Sequence, residues 1–136
     1  MGLRIGETLA LTSNDINLKD GYIKVNRTLT KDKNFNTFIN NRAKTFAGRR
    51  KLPIPDIIKN ELKEQLKIAK SNRDNLLFLC DGEYVRPNSA NSVLKRIFRT
   101  QLGLSDKNIS THALRHTYAT RCIEAGMNAV VLQRLM

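Results

Sequence analysis

The sequence is poor in acidic residues and has no long apolar run, and each shortage excludes a class of protein. Only 12 Asp and Glu residues face 24 Lys and Arg residues in a chain of 136, which gives a formal net charge of +12. No apolar run approaches the roughly 20 residues needed to cross a bilayer, and no secretory h-region follows Met1. Gly6 stands where a myristoylation signal requires Ser or Thr. We therefore expect no membrane partner.

Cysteine is scarce as well. Cys80 and Cys122 stand far apart, without the spacing of a metal site. We expect both to be reduced thiols in the core of a cytoplasmic protein. Carboxylates do not cluster at metal-binding spacing either, so the sequence predicts neither a metal nor a cofactor.

What is abundant is positive charge. So large an excess in one small domain suggests a polyanionic partner, and nucleic acid is the first candidate. A soluble basic protein without such a partner is the alternative. The 40% content of hydrophobic residues lies well above the disordered range, and the length suits one domain with a single core.

The hydrophobic pattern predicts an α+β domain that is mostly helical and carries a small three-stranded antiparallel sheet. A short helix is expected near Ile5, followed by a polar turn over residues 12–17. The three expected strands are residues 22–29, a segment around Phe38 and Ile39, and residues 49–54, with a hairpin tip at 44–48. Pro53 cannot donate to a ladder, so the third strand belongs at an edge.

Four further helices are expected after the sheet. The first starts at Pro55 and has one apolar face, formed by Ile57, Ile58, Leu62, Leu66 and Ala69. The second starts at Asn88 or Ser89 and ends at Gly103, a plausible C-cap. The third is centred on residues 111–121, and the fourth spans Asn128 to Met136.

The stretch Thr111–Arg121 is the richest in candidate functional groups. If it is helical, His112 and Arg115 share one face, three residues apart. Ser110 or Thr111 could cap the helix and place that face at its positive end, where a phosphate binds well. An amphipathic helix with polar residues in water explains the same spacing, and spacing alone leaves both interpretations open.

Three segments together resemble the tyrosine recombinases, which include the phage and transposon integrases. They are Gly2–Glu7, Lys44–Arg50 and His112–Thr120, in the order and rough spacing of that family's catalytic domain. The resemblance covers nearly the whole chain. It implies metal-free cutting and rejoining of double-stranded DNA through a covalent phosphotyrosyl intermediate, with the full-length protein assembled as a homo-oligomer on DNA.

The resemblance also implies roles for individual residues. Arg4 and Arg115 correspond to the two arginines that clamp the scissile phosphate. Lys44 corresponds to the lysine that protonates the leaving 5′-oxygen, and His112 to the histidine that assists proton transfer.

Glu7 resembles an acidic residue that supports the active site from behind. His116 falls within the same motif, and we expect it to be partly buried, with a backbone partner. Basic residues near these segments are candidate DNA contacts, although a solvated face is the alternative for those on the second long helix: Arg49, Arg50, Lys95, Arg96 and Arg99.

The family's nucleophilic tyrosine has no counterpart among the motifs of this chain. Leu132–Met136 stands where the family continues into a Gly-His segment and then the tyrosine. Tyr118 aligns with Leu114 and Cys122 at spacings of four and is expected in the core. We therefore expect residues 1–136 to be a partial catalytic domain that is inactive alone.

Two other functions remain open from the residues. One is a basic DNA-binding module without chemistry, whose binding weakens steeply with salt. The other is a metal-free ribonuclease that uses His112 and His116 as an acid–base pair.

Overall fold

A computed structural model describes residues 1–41, 49–72, 74–104 and 109–136. The helices in these ranges are α1 (Ile5–Leu9), α2 (Lys59–Ala69), α3 (Pro87–Leu102), α4 (Thr111–Glu124) and α5 (Ala129–Leu135). The strands are β1 (Ile16–Asn17), β2 (Tyr22–Val25), β3 (Thr28–Lys31), β4 (Thr37–Asn40), β5 (Arg50–Pro53), β6 (Leu79–Cys80) and β7 (Glu83–Tyr84). Short 3₁₀ turns span Ser13–Asp15 and Asp56–Ile58. The predicted α+β class is confirmed.

The three-stranded sheet is antiparallel, with β2 between β1 and β5. Ile23 of β2 lies opposite Ile16 on one side and Leu52 on the other. β5 is an edge strand among the described residues, as Pro53 predicts, because a missing N–H on the solvent side breaks no ladder bond.

The expected strand over residues 22–29 is wrong as one element. The chain leaves the sheet after β2 because Arg27 turns to the buried Asp15, with Nη2 3.0 Å from both carboxylate oxygens. β3 then pairs only with β4, in a separate hairpin with Leu29 opposite Ile39. The third member of the main sheet is β1, which lies within the expected polar turn over residues 12–17.

Two buried clusters form the core, and the partly buried Phe78 packs against both. One lies between the three-stranded sheet and α2 and contains Leu11, Ile23, Val25, Leu52, Ile54, Ala69 and Leu77. The other joins α1 to the β3–β4 hairpin through Leu9, Ala10 and Leu29. α1 is therefore held on its buried side by β3.

Helix ends follow local chemistry closely. The Ser110 side chain caps α4 by accepting a bond of 3.1 Å from the Ala113 N–H. Gly103 ends α3 in the left-handed region, at φ +64°. The helix expected at Pro55 instead begins with a 3₁₀ turn, and α2 starts at Lys59. The tighter winding takes Ile57 out of the expected apolar face and leaves it 84% exposed.

The apolar residues of α3 and α4 stay largely outside the core. Val93 and Ile97 on α3 are exposed, as are Leu114 and Ile123 on α4. The expected core stripe through Tyr118 is therefore only partly correct, since Tyr118 is half-buried while Leu114 is open. α4 thus keeps one face at the surface of the domain. No helix in the described ranges is long and apolar enough to cross a membrane.

Candidate active site

Glu7 is the centre of the site. The chain enters α1 at Arg4, and the Glu7 carboxylate folds back to accept from the Arg4 backbone N–H at 2.9 Å and from Arg4 Nη1 at 3.1 Å. The first of these bonds satisfies one of the backbone N–H groups that a helix start leaves open. Glu7 is only 6% exposed, so the carboxylate is held inside the domain.

Arg50 is the second partner of Glu7. Its Nη1 and Nη2 donate to Oε1 at 3.0 Å and Oε2 at 2.8 Å, and its Nε donates to the Leu135 carbonyl at 2.8 Å. With a side chain only 6% exposed, Arg50 points into the domain and away from the surface, where a DNA contact would lie. The period of two along β5 could have shown this, because Arg50 shares the inward face with the buried Leu52.

Arg115 reaches the same region from α4. Its Nη1 donates to the Gly2 carbonyl and its Nη2 to the backbone oxygen of Met136. Arg4 Nη1 donates to that same Met136 oxygen at 3.1 Å. Two guanidinium groups from distant parts of the sequence thus converge on one oxygen atom.

Three guanidinium groups near the buried Glu7 carboxylate shift the pKa values of the site. Burial raises the pKa of Glu7, but hydrogen bonds and attraction from Arg50, with those from Arg4, outweigh it and leave the pKa below its ordinary value. Burial lowers the pKa of Arg115, and repulsion from Arg4 and Arg50 adds to this against the pull of Glu7. The site carries excess positive charge and suits an anion.

Gly2 is part of the site, although no sequence motif singled it out for a role. It adopts φ +63°, and a Cβ there would lie 2.6 Å from Cδ1 of Tyr118. A bare backbone is needed for the Gly2 carbonyl to reach Arg115 while the Tyr118 ring packs against it. The positive φ and the close packing of Tyr118 and of the Met136 side chain, 2.7 Å from that Cβ, together create this requirement.

His112 and His116 form a pair on the exposed side of α4. Their Nε2 atoms are 2.9 Å apart, and the rings meet edge to face at 88° with centroids 4.4 Å apart. His116 is exposed and bonded to a ring, so the expectation of partial burial with a backbone partner was wrong. The two histidines are four residues apart, which places their rings on the same face of the helix. The ribonuclease mechanism needs the two rings on opposite sides of a phosphate, whereas here their Nε2 atoms face each other.

The other expected site residues are placed as follows. Lys44 and the hairpin tip lie outside the described residues. Arg49 is exposed and lines a pocket of about 270 Å³ with Lys24, Asn26, Arg27 and Asn41. Three basic residues of α3 are exposed and open to a polyanion: Lys95, Arg96 and Arg99.

All three tyrosines of the chain lie in helices or strands. Burial and a hydrogen bond with Cys122 raise the pKa of Tyr118. Tyr22 lies in the sheet with Lys51 Nζ 4.2 Å from its ring centroid, and Tyr84 lies in β7.

Both cysteines are free, but Cys80 is exposed, so the expectation that it is a core thiol was wrong.

Comparisons with known proteins identify the family of this chain. The profile described as "Phage integrase family" matches residues 1–136. The chain is 28% identical over 98% of its length to the integrase of Staphylococcus phage L54a, and 27% identical over 99% to the transposase from transposon Tn916 of Enterococcus faecalis. These matches cover 40% and 36% of the two relatives, so the chain spans about two fifths of their length.

Solved structures share the fold of this chain. The Tn1549 transposon integrase in complex with transposon right end DNA superposes with a TM-score of 0.83 at 26% identity, covering 99% of this chain and 46% of that one. XerA recombinase, at 21% identity, superposes with a TM-score of 0.75 over 99% of this chain and 43% of that one, which supports the fold.

Proposed function

Because the chain belongs to the phage integrase family, we propose that residues 1–136 form part of the catalytic domain of a site-specific recombinase that cuts and rejoins double-stranded DNA. The relatives named integrase and transposase, and the structural neighbour bound to transposon DNA, support this function. The chain's net charge of +12 supports a nucleic-acid substrate.

The observation that carries the proposal is that the guanidinium groups of Arg4 and Arg115 lie side by side, both within hydrogen-bond distance of the Met136 backbone oxygen. A phosphate bound beside the two groups would receive charge-assisted hydrogen bonds from both. Guanidinium groups suit this task because their donors match the planar spacing of phosphate oxygens. They would stabilise the charge that builds on the equatorial oxygens as phosphorus becomes five-coordinate.

Glu7 and Arg50 prepare this clamp. The buried carboxylate holds Arg4 on one side, and Arg50 fixes the carboxylate from the other. Glu7 thereby acts as a positioning residue, as the resemblance implies. His112 is assigned to proton transfer and Lys44 to protonation of the leaving 5′-oxygen on the strength of the family motifs.

The attacking tyrosine is proposed to come from outside residues 1–136. Tyr118 is half-buried against Gly2 and bonded to Cys122, and Tyr22 and Tyr84 belong to strands. Without an attacking group the covalent step cannot begin. Residues 1–136 alone are therefore expected to bind DNA without cutting it.

The test is formation of a covalent protein–DNA adduct by the full-length protein on its cognate DNA. Arg4→Ala and Arg115→Ala should each lower the rate of adduct formation by about a hundredfold or more, the usual cost of removing one preorganised donor. Arg121→Ala is the matched control, since Arg121 lies on the same helix and pairs with Glu124 at the surface. Adduct formation that survives both site changes would overturn the proposal.

The proposed partners are double-stranded DNA and, in the full-length protein, sister protomers on paired sites, in the cytoplasm. The charge alone also supports a second candidate, a DNA-binding module without chemistry. Salt-sensitive binding without any adduct from the full-length protein would favour that module.

A further inference from the structure

The His112–His116 pair has a geometry that the proposed reaction does not explain. Recombination as proposed needs one histidine at the phosphate, yet two imidazole nitrogens meet here on an exposed helix face. These are the only two histidines in the chain. Neutral imidazole is also the commonest metal ligand among side chains.

The distance between the nitrogens indicates which coordination geometry the pair fits. At a metal–nitrogen distance of about 2.0–2.1 Å, two nitrogens 2.9 Å apart subtend about 90° at the ion. A tetrahedral ion would need them about 3.3 Å apart. Right angles between neighbouring nitrogen ligands are typical of square-planar and tetragonal Ni²⁺ and Cu²⁺.

We propose that His112 and His116 form a bidentate site for a divalent transition-metal ion of this geometry, Ni²⁺ or Cu²⁺. Both Nε2 atoms would face the ion, and the proton between them would move to Nδ1 of the ring that carried it, so binding needs no net loss of a proton from neutral rings. Water would complete the coordination, since both side chains are exposed and no group of three or more His, Cys, Asp or Glu in the described ranges could hold a metal.

The site bears on the reaction, and this step rests on the proposed function. A metal on Nε2 of His112 occupies the nitrogen that faces its partner ring and fixes the side chain in place. His112 then cannot assist proton transfer at the phosphate. The ion is therefore an inhibitor of strand cleavage and not a cofactor for it.

The first experiment needs no variant. In a proton NMR spectrum the Hε1 signals of the two histidines are followed while NiCl₂ is added to the protein. Both signals should broaden together at substoichiometric Ni²⁺, because an ion whose remaining positions are filled by water is six-coordinate and paramagnetic and lies beside both rings. Broadening of one histidine alone, or of neither at one equivalent, would overturn the proposal.

The second experiment uses calorimetry with NiCl₂. His116→Gln should weaken Ni²⁺ binding at least about tenfold, since chelation by two rings becomes binding by one. Cys80→Ser is the matched control, because Cys80 is an exposed thiol that could also bind nickel. Loss of binding in Cys80→Ser with retention in His116→Gln would place the ion elsewhere.

The third experiment separates the site from the reaction. NiCl₂ at a saturating concentration should suppress adduct formation by the full-length protein, and EDTA should restore it. An adduct unaffected by bound Ni²⁺ would refute inhibition while leaving the site in place. Failure to form any adduct without metal would instead count against the proposed function.

Discussion

At the scale of single residues, Glu7 connects most of the site. One buried carboxylate binds the Arg4 backbone, the Arg4 side chain and the Arg50 guanidinium. Removing one partner of such a pair is costly because the other stays buried without its counterion. Arg4 and Arg50 therefore depend on one acidic side chain for their position.

We expect Glu7→Gln to lower the free energy of unfolding by about 3 kcal/mol or more, because Arg50 would remain buried without an opposite charge. The measurement is urea denaturation followed by circular dichroism. Glu124→Gln removes a carboxylate from an exposed pair with Arg121 and should cost less than about 1 kcal/mol. Equal losses in the two variants would contradict the role assigned to Glu7.

The lowered pKa of Glu7 predicts a pH dependence. Because its folded pKa lies below its unfolded value, Glu7 stabilises the fold above the unfolded pKa of about 4.3, and this contribution is lost as pH falls through the folded pKa. The difference in unfolding free energy between wild type and Glu7→Gln should therefore shrink as pH falls from about 5 towards 3. Asp32 and Asp56 titrate alike in both proteins, so the difference isolates Glu7. A difference that stays constant over this range would be contrary evidence.

At the scale of elements, α1 must lie close to β3 for Arg4 and Glu7 to be in place. A Cβ on Gly6 would come within 2.6 Å of Thr28 Oγ1 and 2.7 Å of the Leu29 carbonyl oxygen. The second contact is with backbone, which cannot move aside as a side chain can. Gly6 thus sets the approach of the helix to the hairpin.

Gly6→Ala should destabilise the domain by about 1–3 kcal/mol through this overpacking. Thermal unfolding measures the loss. Adding Thr28→Ala removes the first close contact but leaves the Leu29 carbonyl, so most of the loss should persist in the double variant when it is compared with Thr28→Ala alone. Full recovery in the double variant would show that the backbone contact is unimportant.

A helix or strand is easier to predict from the sequence when the residues that fix its ends are close to it along the chain. The helix α4, its cap at Ser110 and the end of α3 at Gly103 follow from neighbours within a few residues. The division of residues 22–29 into β2 and β3 depends on Arg27 reaching Asp15, a partner distant in sequence. Local patterns therefore placed the helices better than the sheet.

At the scale of the whole molecule, the excess of basic residues is spread over several surfaces. Lys95, Arg96 and Arg99 stand exposed on α3, and Arg49 beside β5. Each phosphate that a basic side chain neutralises releases counterions from DNA, so the number of such contacts appears in the salt dependence of binding.

Replacing Lys95, Arg96 or Arg99 singly with Gln should reduce the slope of log K against log salt by about 1 for each residue that contacts a phosphate. Fluorescence anisotropy with a labelled duplex at several salt concentrations provides the slopes. Lys67→Gln removes the same charge from α2, where Lys67 pairs with Glu64, and should leave the slope nearly unchanged. An equal change of slope for the α3 variants and for Lys67→Gln would mean that net charge, and not contact with phosphates, governs binding.

The amino-acid sequence by itself determined the α+β class, the helix caps at Ser110 and Gly103, the excess of positive charge and the motifs that contain Arg4, His112 and Arg115. These depend on composition and on spacings along one element, which are readable without knowing how elements pack. The tertiary structure decided that Arg50 turns inward to Glu7, that His116 meets His112, and that Arg4 and Arg115 share one oxygen. Those contacts join side chains whose directions depend on backbone geometry and on the packing of distant segments, so composition and motif alone could not specify them.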